Sequence, residues 1–177
     1  MQTYFEKASV AAATAVAAAF LLLAAPASAQ LAGNTLPTAA DGKFAKAAIL
    51  AGNQEIDQAR AELKSTTDAS VKLYAKTIVH DHTLINAQLA GVAKGAGFPV
   101  PSKLSGSGAS VSYEDPKTYM QAEVTAHEQA LALFNQEYRN GARQFQAVVG
   151  PAIQMLQQHL KMAQEYLKTG KITPPSS

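Results

Sequence analysis

Residues 71–92 read VKLYAKTIVHDHTLINAQLAGV, and their spacing decides the fold. Val71, Ala75, Ile78, Ile85, Leu89 and Val92 recur at intervals of three and four, and His82 fills the remaining place in the series. That spacing lays a narrow apolar stripe along a helix, the seam a bundle helix buries against its neighbours. The helix is expected over about 69–94. Gly95 and Gly97 end it, and Pro99 and Pro101 prevent it from resuming.

The same period extends to both sides. Upstream, Ala45, Ile49, Gly52, Ile56, Ala59 and Leu63 form a second stripe, with Asp41 expected as its N-cap. Ser65 to Asp68 makes a short turn, in which Thr67 or Asp68 caps the following helix. Downstream, residues 97–114 form a crossover loop whose flexible part is Ser105 to Gly108. A third helix over about 116–139 carries Met120, Glu123, His127, Ala130 and Phe134 on one face, with Pro116 near its first turn. A short helical piece over 142–149 is expected to stop at Gly150-Pro151. Pro151 then opens a last helix over 151–168, with Ala152, Leu156, His159, Ala163 and Tyr166 on its seam. Two short links and one long loop predict an all-α, antiparallel four-helix bundle over 42–169, with a break before the last helix. Residues 30–41 read as a linker and 170–177 as a flexible tail.

The N-terminus reads as an address. Ala8 to Ala25 is uncharged and almost wholly apolar, Lys7 precedes it, and Pro26-Ala27-Ser28-Ala29 follows it. Ala27 and Ala29 fit a secretory cleavage site, which makes 1–29 a signal peptide and places the mature chain in the periplasm or outside the cell. An uncleaved anchor is the competing reading, because the apolar stretch approaches bilayer length and Glu6 cancels Lys7. No other segment is long and apolar enough to span a membrane.

Composition excludes several functions. The chain of 177 residues has no Cys, so disulfides, thiolate metal sites and Cys nucleophiles are ruled out. A net charge of +2 without a Lys/Arg run argues against nucleic acid as a partner. No glycine-rich phosphate loop and no serine nucleophile elbow is present.

Three of the four histidines lie in apolar seams, each on a different helix: His82, His127 and His159. Burying an imidazole without a partner is costly, and burying a carboxylate costs more. Glu123 shares the face of His127 one turn away, and Glu55 lies beside the first seam near the level of His82. A metal ion held by His82, His127, His159, Glu55 and Glu123 would satisfy these groups together. Imidazole plus carboxylate suits Fe, Zn, Cu or Mn. A buried His–Glu hydrogen-bond network fixing helix register explains the same residues. Counting from the third turn leaves His127 and His159 about 6 Å apart along the axis. His80 is off the seam and expected in solvent. Tyr74, Tyr119, Tyr138 and Tyr166 read as packing residues with hydroxyls at the rim. Met155 and Met162 read as core filler. The Glu-x-x-His pairs of carboxylate-bridged di-metal sites are absent; the nearest pattern is Glu123-x-x-x-His127.

Several segments resemble one known family. They are Phe44-Ala45-x-Ala47-Ala48 leading to Gly52-x-x-Glu55-Ile56, then Val71-x-x-Tyr74-Ala75, then Val79-x-Asp81-His82-Thr83. Gly97-Phe98-Pro99-Val100-Pro101, Tyr119 to His127 and Pro151 to His159-Leu160 complete the set. Together they are similar to the exported bacterial family called domain of unknown function 4142, usually placed in the ferritin-like superfamily. The resemblance implies a four-helix bundle in the cell envelope and sets Glu55, Asp81, His82, His127 and His159 on the family's polar helix positions. It implies no established reaction.

Three functional readings follow. The first is an exported bundle that binds a transition metal in mid-bundle. The second is a non-enzymatic envelope stress or scaffold protein with structural core histidines. The third is a metal-dependent oxidase or peroxide-detoxifying enzyme, which needs an open coordination position. Self-association is open in all three.

Overall fold

The computed structural model describes residues 36–106, 110 and 112–173. The expected signal peptide and its cleavage near Ala29 lie outside the described residues. Four helices make up the fold: α1 (Ala39–Ser65), α2 (Ala69–Gly95), α3 (Pro116–Asn140) and α4 (Arg143–Thr169). Among the described residues there is no strand.

Helix starts follow local chemistry. α1 begins earlier than its apolar stripe because Thr38, not Asp41, caps it. The Thr38 hydroxyl accepts from the first-turn backbone, and Asp41, at the third helical position, accepts the Thr38 N–H at 2.6 Å. This reciprocal capping box satisfies amides that would otherwise lack partners. Asp68 caps α2 by accepting from Ser70 N–H at 2.7 Å and Val71 N–H at 3.0 Å. Asp115 caps α3, with Pro116 at its first position. α4 ends at Gly170, whose φ of 73° suits glycine.

The expected break before the last helix is absent. α4 runs from Arg143 through Gly150 and Pro151 to Thr169. Pro151 removes one N–H from the helix ladder. Its ring lies on the exposed side, while Phe145, Val149, Ala152 and Leu156 bury on the other and carry the helix across.

Residue pairs fix the directions. Asn86 of α2 bonds Ile49 of α1, Tyr166 of α4 bonds Asp68 before α2, and Asp41 of α1 accepts from Ala142 after α3. Thus α1 and α4 run one way, α2 and α3 the other, and each packed pair is antiparallel. The crossover between α2 and α3 therefore spans the bundle's length along α1. It is tied there by Asn53 to Lys103 O, Arg60 to Ser105 O, and Tyr113 N–H to Glu62. The expected flexible stretch is pinned where it is described: Gly106 N–H donates to Asn53 at 3.0 Å. The chain beyond α4 is also held, since Ile172 is buried and its N–H donates to Ser70 Oγ at 3.0 Å.

Gly52 admits the side chain of Asn86. A Cβ at Gly52 would collide with Asn86 Oδ1. Asn86 in turn donates to Leu104 O at 2.9 Å and Asn53 Oδ1 at 3.1 Å, joining α1, α2 and the crossover.

The core falls into two apolar blocks. One gathers Phe44, Ile49, Leu89, Phe134, Phe145 and Leu156. The other gathers Val71, Tyr74, Ile78, Met120, Met162 and Tyr166. Polar side chains occupy the layer between them. Among the described residues, no helix is long and apolar enough to cross a membrane.

Candidate metal centre

The middle layer takes one histidine from each of three helices. His82 falls between Ile78 and Ile85 on α2, His127 one turn after Glu123 on α3, and His159 one turn after Leu156 on α4. Their residual exposures are 6%, 1% and 0%, so water is not their solvent. The three rings form a nearly equilateral triangle, with centroids 5.6, 5.4 and 5.2 Å apart. Each offers a ring nitrogen within 4.8 Å of the others. The expected height mismatch does not keep His127 and His159 apart, since their ring nitrogens lie 3.2 Å from each other. The count ran from Gly141 through turn residues that belong to neither helix, and the imidazole side chains reach across what remains.

The protons can be counted. His127 Nδ1 lies 2.9 Å from the Glu123 carbonyl, which only accepts, so Nδ1 carries hydrogen. Burial and the neighbouring His159 hold the His127 pKa down to about 3, so the ring is neutral and its Nε2 is a bare lone pair. That lone pair faces His159 Nδ1. On its other side, His159 Nε2 lies 2.9 Å from Asp81 Oδ2. Burial alone would raise Asp81, but hydrogen bonds from His159 and His80 outweigh it and keep the group a carboxylate. Hence His159 Nε2 carries hydrogen. If His159 is neutral, two lone pairs confront each other at 3.2 Å. His82 Nε2 is buried with no hydrogen-bond partner at all. Burial, then the proximity of His127 and His159, pushes the His82 pKa well down, so this ring too is neutral.

A second cluster lies on the Glu123 side of His127. Glu55, Glu123 and His127 also bring one donor atom each within 4.8 Å of the others. Glu123 Oε2 accepts the Tyr74 hydroxyl at 3.0 Å and lies 3.6 Å from His127 Nδ1. Burial and then the Glu55 charge push the Glu123 carboxyl well up. Burial raises Glu55 as well, partly offset by its hydrogen bond with Glu123, so the pair shares a proton. Glu55 Oε2 and the Tyr119 hydroxyl are enclosed without hydrogen-bond partners.

The five expected ligands thus lie in one layer but in two groups that share His127. Three contributors lay outside the five expected ligands. Asp81 orients His159; its signal was its place next to His82, turned by one residue toward α4. Tyr74 and Tyr119 were expected to hold their hydroxyls at the rim, yet both residues are fully buried and Tyr74 bonds Glu123. The period placed them near the seam but could not say that a carboxylate waited across it. His80 is exposed, as expected, and pairs with Asp81 at 2.7 Å. Glu62, on the face of Glu55, serves the crossover instead by accepting the Tyr113 N–H.

No curated protein and no solved structure matches the chain. A family model does: its match runs over residues 24–166 and takes in all four helices up to Tyr166, with Asp81 and every residue of both clusters. The chain belongs to the family described as Domain of unknown function (DUF4142).

Proposed function

We propose that this protein is an exported helical bundle that binds a transition metal ion among His82, His127 and His159. The observation that carries the reading is the proton count. A proton added to His159 satisfies its contact with His127 and leaves His82 Nε2 orphaned, whereas one metal ion accepts a lone pair from all three rings. His127 and His159 are held from behind by a backbone carbonyl and a carboxylate, the supports that fix tautomer and ring direction in metal sites. Three imidazoles suit Zn, Cu or Fe. A bound ion of this kind supplies Lewis-acid or redox chemistry. The leader-like N-terminus supports export. The single long crossover supports a ferritin-like arrangement, a likeness of fold that carries no reaction.

A second reading also has an observation behind it. With both nitrogens of His159 protonated and Asp81 as counter-ion, the His127–His159 contact is an ordinary hydrogen bond. The protein is then a non-enzymatic envelope or scaffold protein whose histidines lock the helices in register.

Elemental analysis separates the two. The chain is exported in its host compartment and purified without chelator or affinity tag, alongside His82→Ala/His127→Ala. About one metal ion per chain in the parent and none in the folded variant supports the metal site. Metal-free protein in both, with the variant merely less stable, supports the register lock.

A further inference from the structure

We infer that Glu55 and Glu123 form a second cation site, separate from the three imidazoles and suited to a hard divalent ion such as Mn(II), with His127 between the two positions. The inference rests on the proposed histidine site only for the word second; the oxygen cluster stands on its own geometry.

Its free donors are the carboxylate oxygens; the third member of the cluster, His127, turns its hydrogen-bearing Nδ1 toward them and is not a ligand there. Glu55 comes from α1 and Glu123 from α3, and the cluster they make with His127 has its donor atoms within 4.8 Å of one another. Hard divalent cations take carboxylate and other oxygen donors, whereas imidazole favours later transition metals. Two neighbouring clusters of opposite donor type therefore sort two kinds of ion. Charge points the same way. The imidazoles add no charge to their site, whereas Glu55 and Glu123 supply two negative charges to a divalent ion that displaces the proton they share.

An independent observation separates this pocket from a plain carboxyl pair. Tyr119 is fully buried and its hydroxyl makes no hydrogen bond of normal geometry, although it lies close enough to Glu123 to interact with it. Glu55 Oε2 is enclosed and unpaired as well. A clasp evolved only to hold α1 to α3 would pair these oxygens, because an unpaired buried polar atom costs about 1–3 kcal/mol. A cation would collect both. Glu55 is half-buried as a residue, but its carboxyl is enclosed.

The two sites lie on different sides of one ring. His127 Nε2 faces His159, and Nδ1 lies 3.6 Å from Glu123 Oε2. No carboxylate belongs to both clusters; an imidazole separates them. This differs from a carboxylate-bridged pair, in which a shared carboxylate spans both ions.

The test is a Mn(II) titration of the whole exported chain after saturation with Zn(II), read by the loss of the free-ion Mn(II) EPR signal. Wild type, Glu55→Gln and Glu55→Gln/Glu123→Gln are compared, with circular dichroism as the check on folding. The expected result is one Mn(II) per Zn-loaded wild-type chain, at least tenfold weaker binding in Glu55→Gln and none in the double variant, while Zn(II) content is unchanged. The single variant keeps the test decisive if the double variant does not fold. Absence of Mn(II) binding to wild type, or binding unaltered by Glu55→Gln, overturns the second site. Wild type that takes Mn(II) in a Glu55-dependent manner but no Zn(II) upholds the oxygen site and removes the histidine site, so the two failures are distinguishable.

Discussion

Asp81 stands between two imidazoles, one exposed and one fully buried. Its Oδ1 meets His80 and its Oδ2 meets His159. The second contact decides which nitrogen of His159 is free to face His127 and His82. Replacing Asp81 by Asn keeps the shape but removes the charge that holds the proton on Nε2. At the proposed metal site, affinity is expected to fall about 10- to 100-fold, the usual cost of losing a support behind a ligand. Competition with a chromophoric chelator measures it, and an unchanged affinity would remove Asp81 from the site. Tyr74 has a comparable place behind Glu123, donating its hydroxyl at 3.0 Å. Both residues show how a seam histidine or glutamate acquires direction from a neighbour that the hydrophobic period does not rank.

Helix pairing depends on small residues as much as on large ones. Gly52 costs α1 about 1 kcal/mol of helix propensity relative to Ala. It is retained because the Asn86 side chain occupies the space a Cβ would need and is itself tied to α1 and the crossover. Gly52→Ala therefore replaces a propensity gain with a collision, and overpacking of this kind costs about 1–3 kcal/mol. A net loss of stability in urea denaturation is expected; a more stable variant would show that Asn86 can move aside freely. Pro151 has the opposite character. It lies on the exposed side of an unbroken helix, so Pro151→Ala restores the bond to the Ala147 carbonyl without touching the core. A gain of about 1–3 kcal/mol is expected, reduced by the lost stiffness of proline in the unfolded chain. A thermal melt no higher than wild type would contradict it.

At the scale of the whole molecule, one end of the bundle is fastened by a carboxyl pair. Asp41 accepts from Thr38 at the start of α1 and from Ala142 N–H at 2.7 Å beyond α3, and Glu137 lies against it. Burial and the Asp41 carboxylate push Glu137 up to about 8. Burial alone would raise Asp41, but its hydrogen bonds from Ala142 and Thr38 prevail and keep it low. The two groups act in opposite directions. Glu137 contributes stability that is complete below the ordinary carboxyl range and lost as pH rises toward about 8. Asp41 contributes stability that is present above its ordinary pKa and lost as pH falls through its lowered one. Between about pH 4.5 and 8 the fold should lose up to about 1.4 kcal/mol per pH unit from Glu137. Glu137→Gln should flatten that decline and make the protein more stable than wild type at pH 8. Urea titrations at pH 5 and 8 check it, and parallel declines in both proteins would clear Glu137 of the effect.

The hydrophobic period determined the helices, their seams and the burial of His82, His127 and His159, because a stripe at three- and four-residue intervals has one way to leave water. Glycine, proline and capping residues determined most ends for equally local reasons. Pro151 misled, because a missing N–H is a local cost that burial of Phe145, Val149, Ala152 and Leu156 overrides across the turn. Tertiary structure alone decided how the five candidate ligands divide into a nitrogen group and an oxygen group about His127. It also decided that Asp81 backs His159 and that Tyr74 reaches Glu123. Those contacts join residues far apart in the chain, and they depend on the rotation and height of each helix against its neighbours, which a one-dimensional period does not contain.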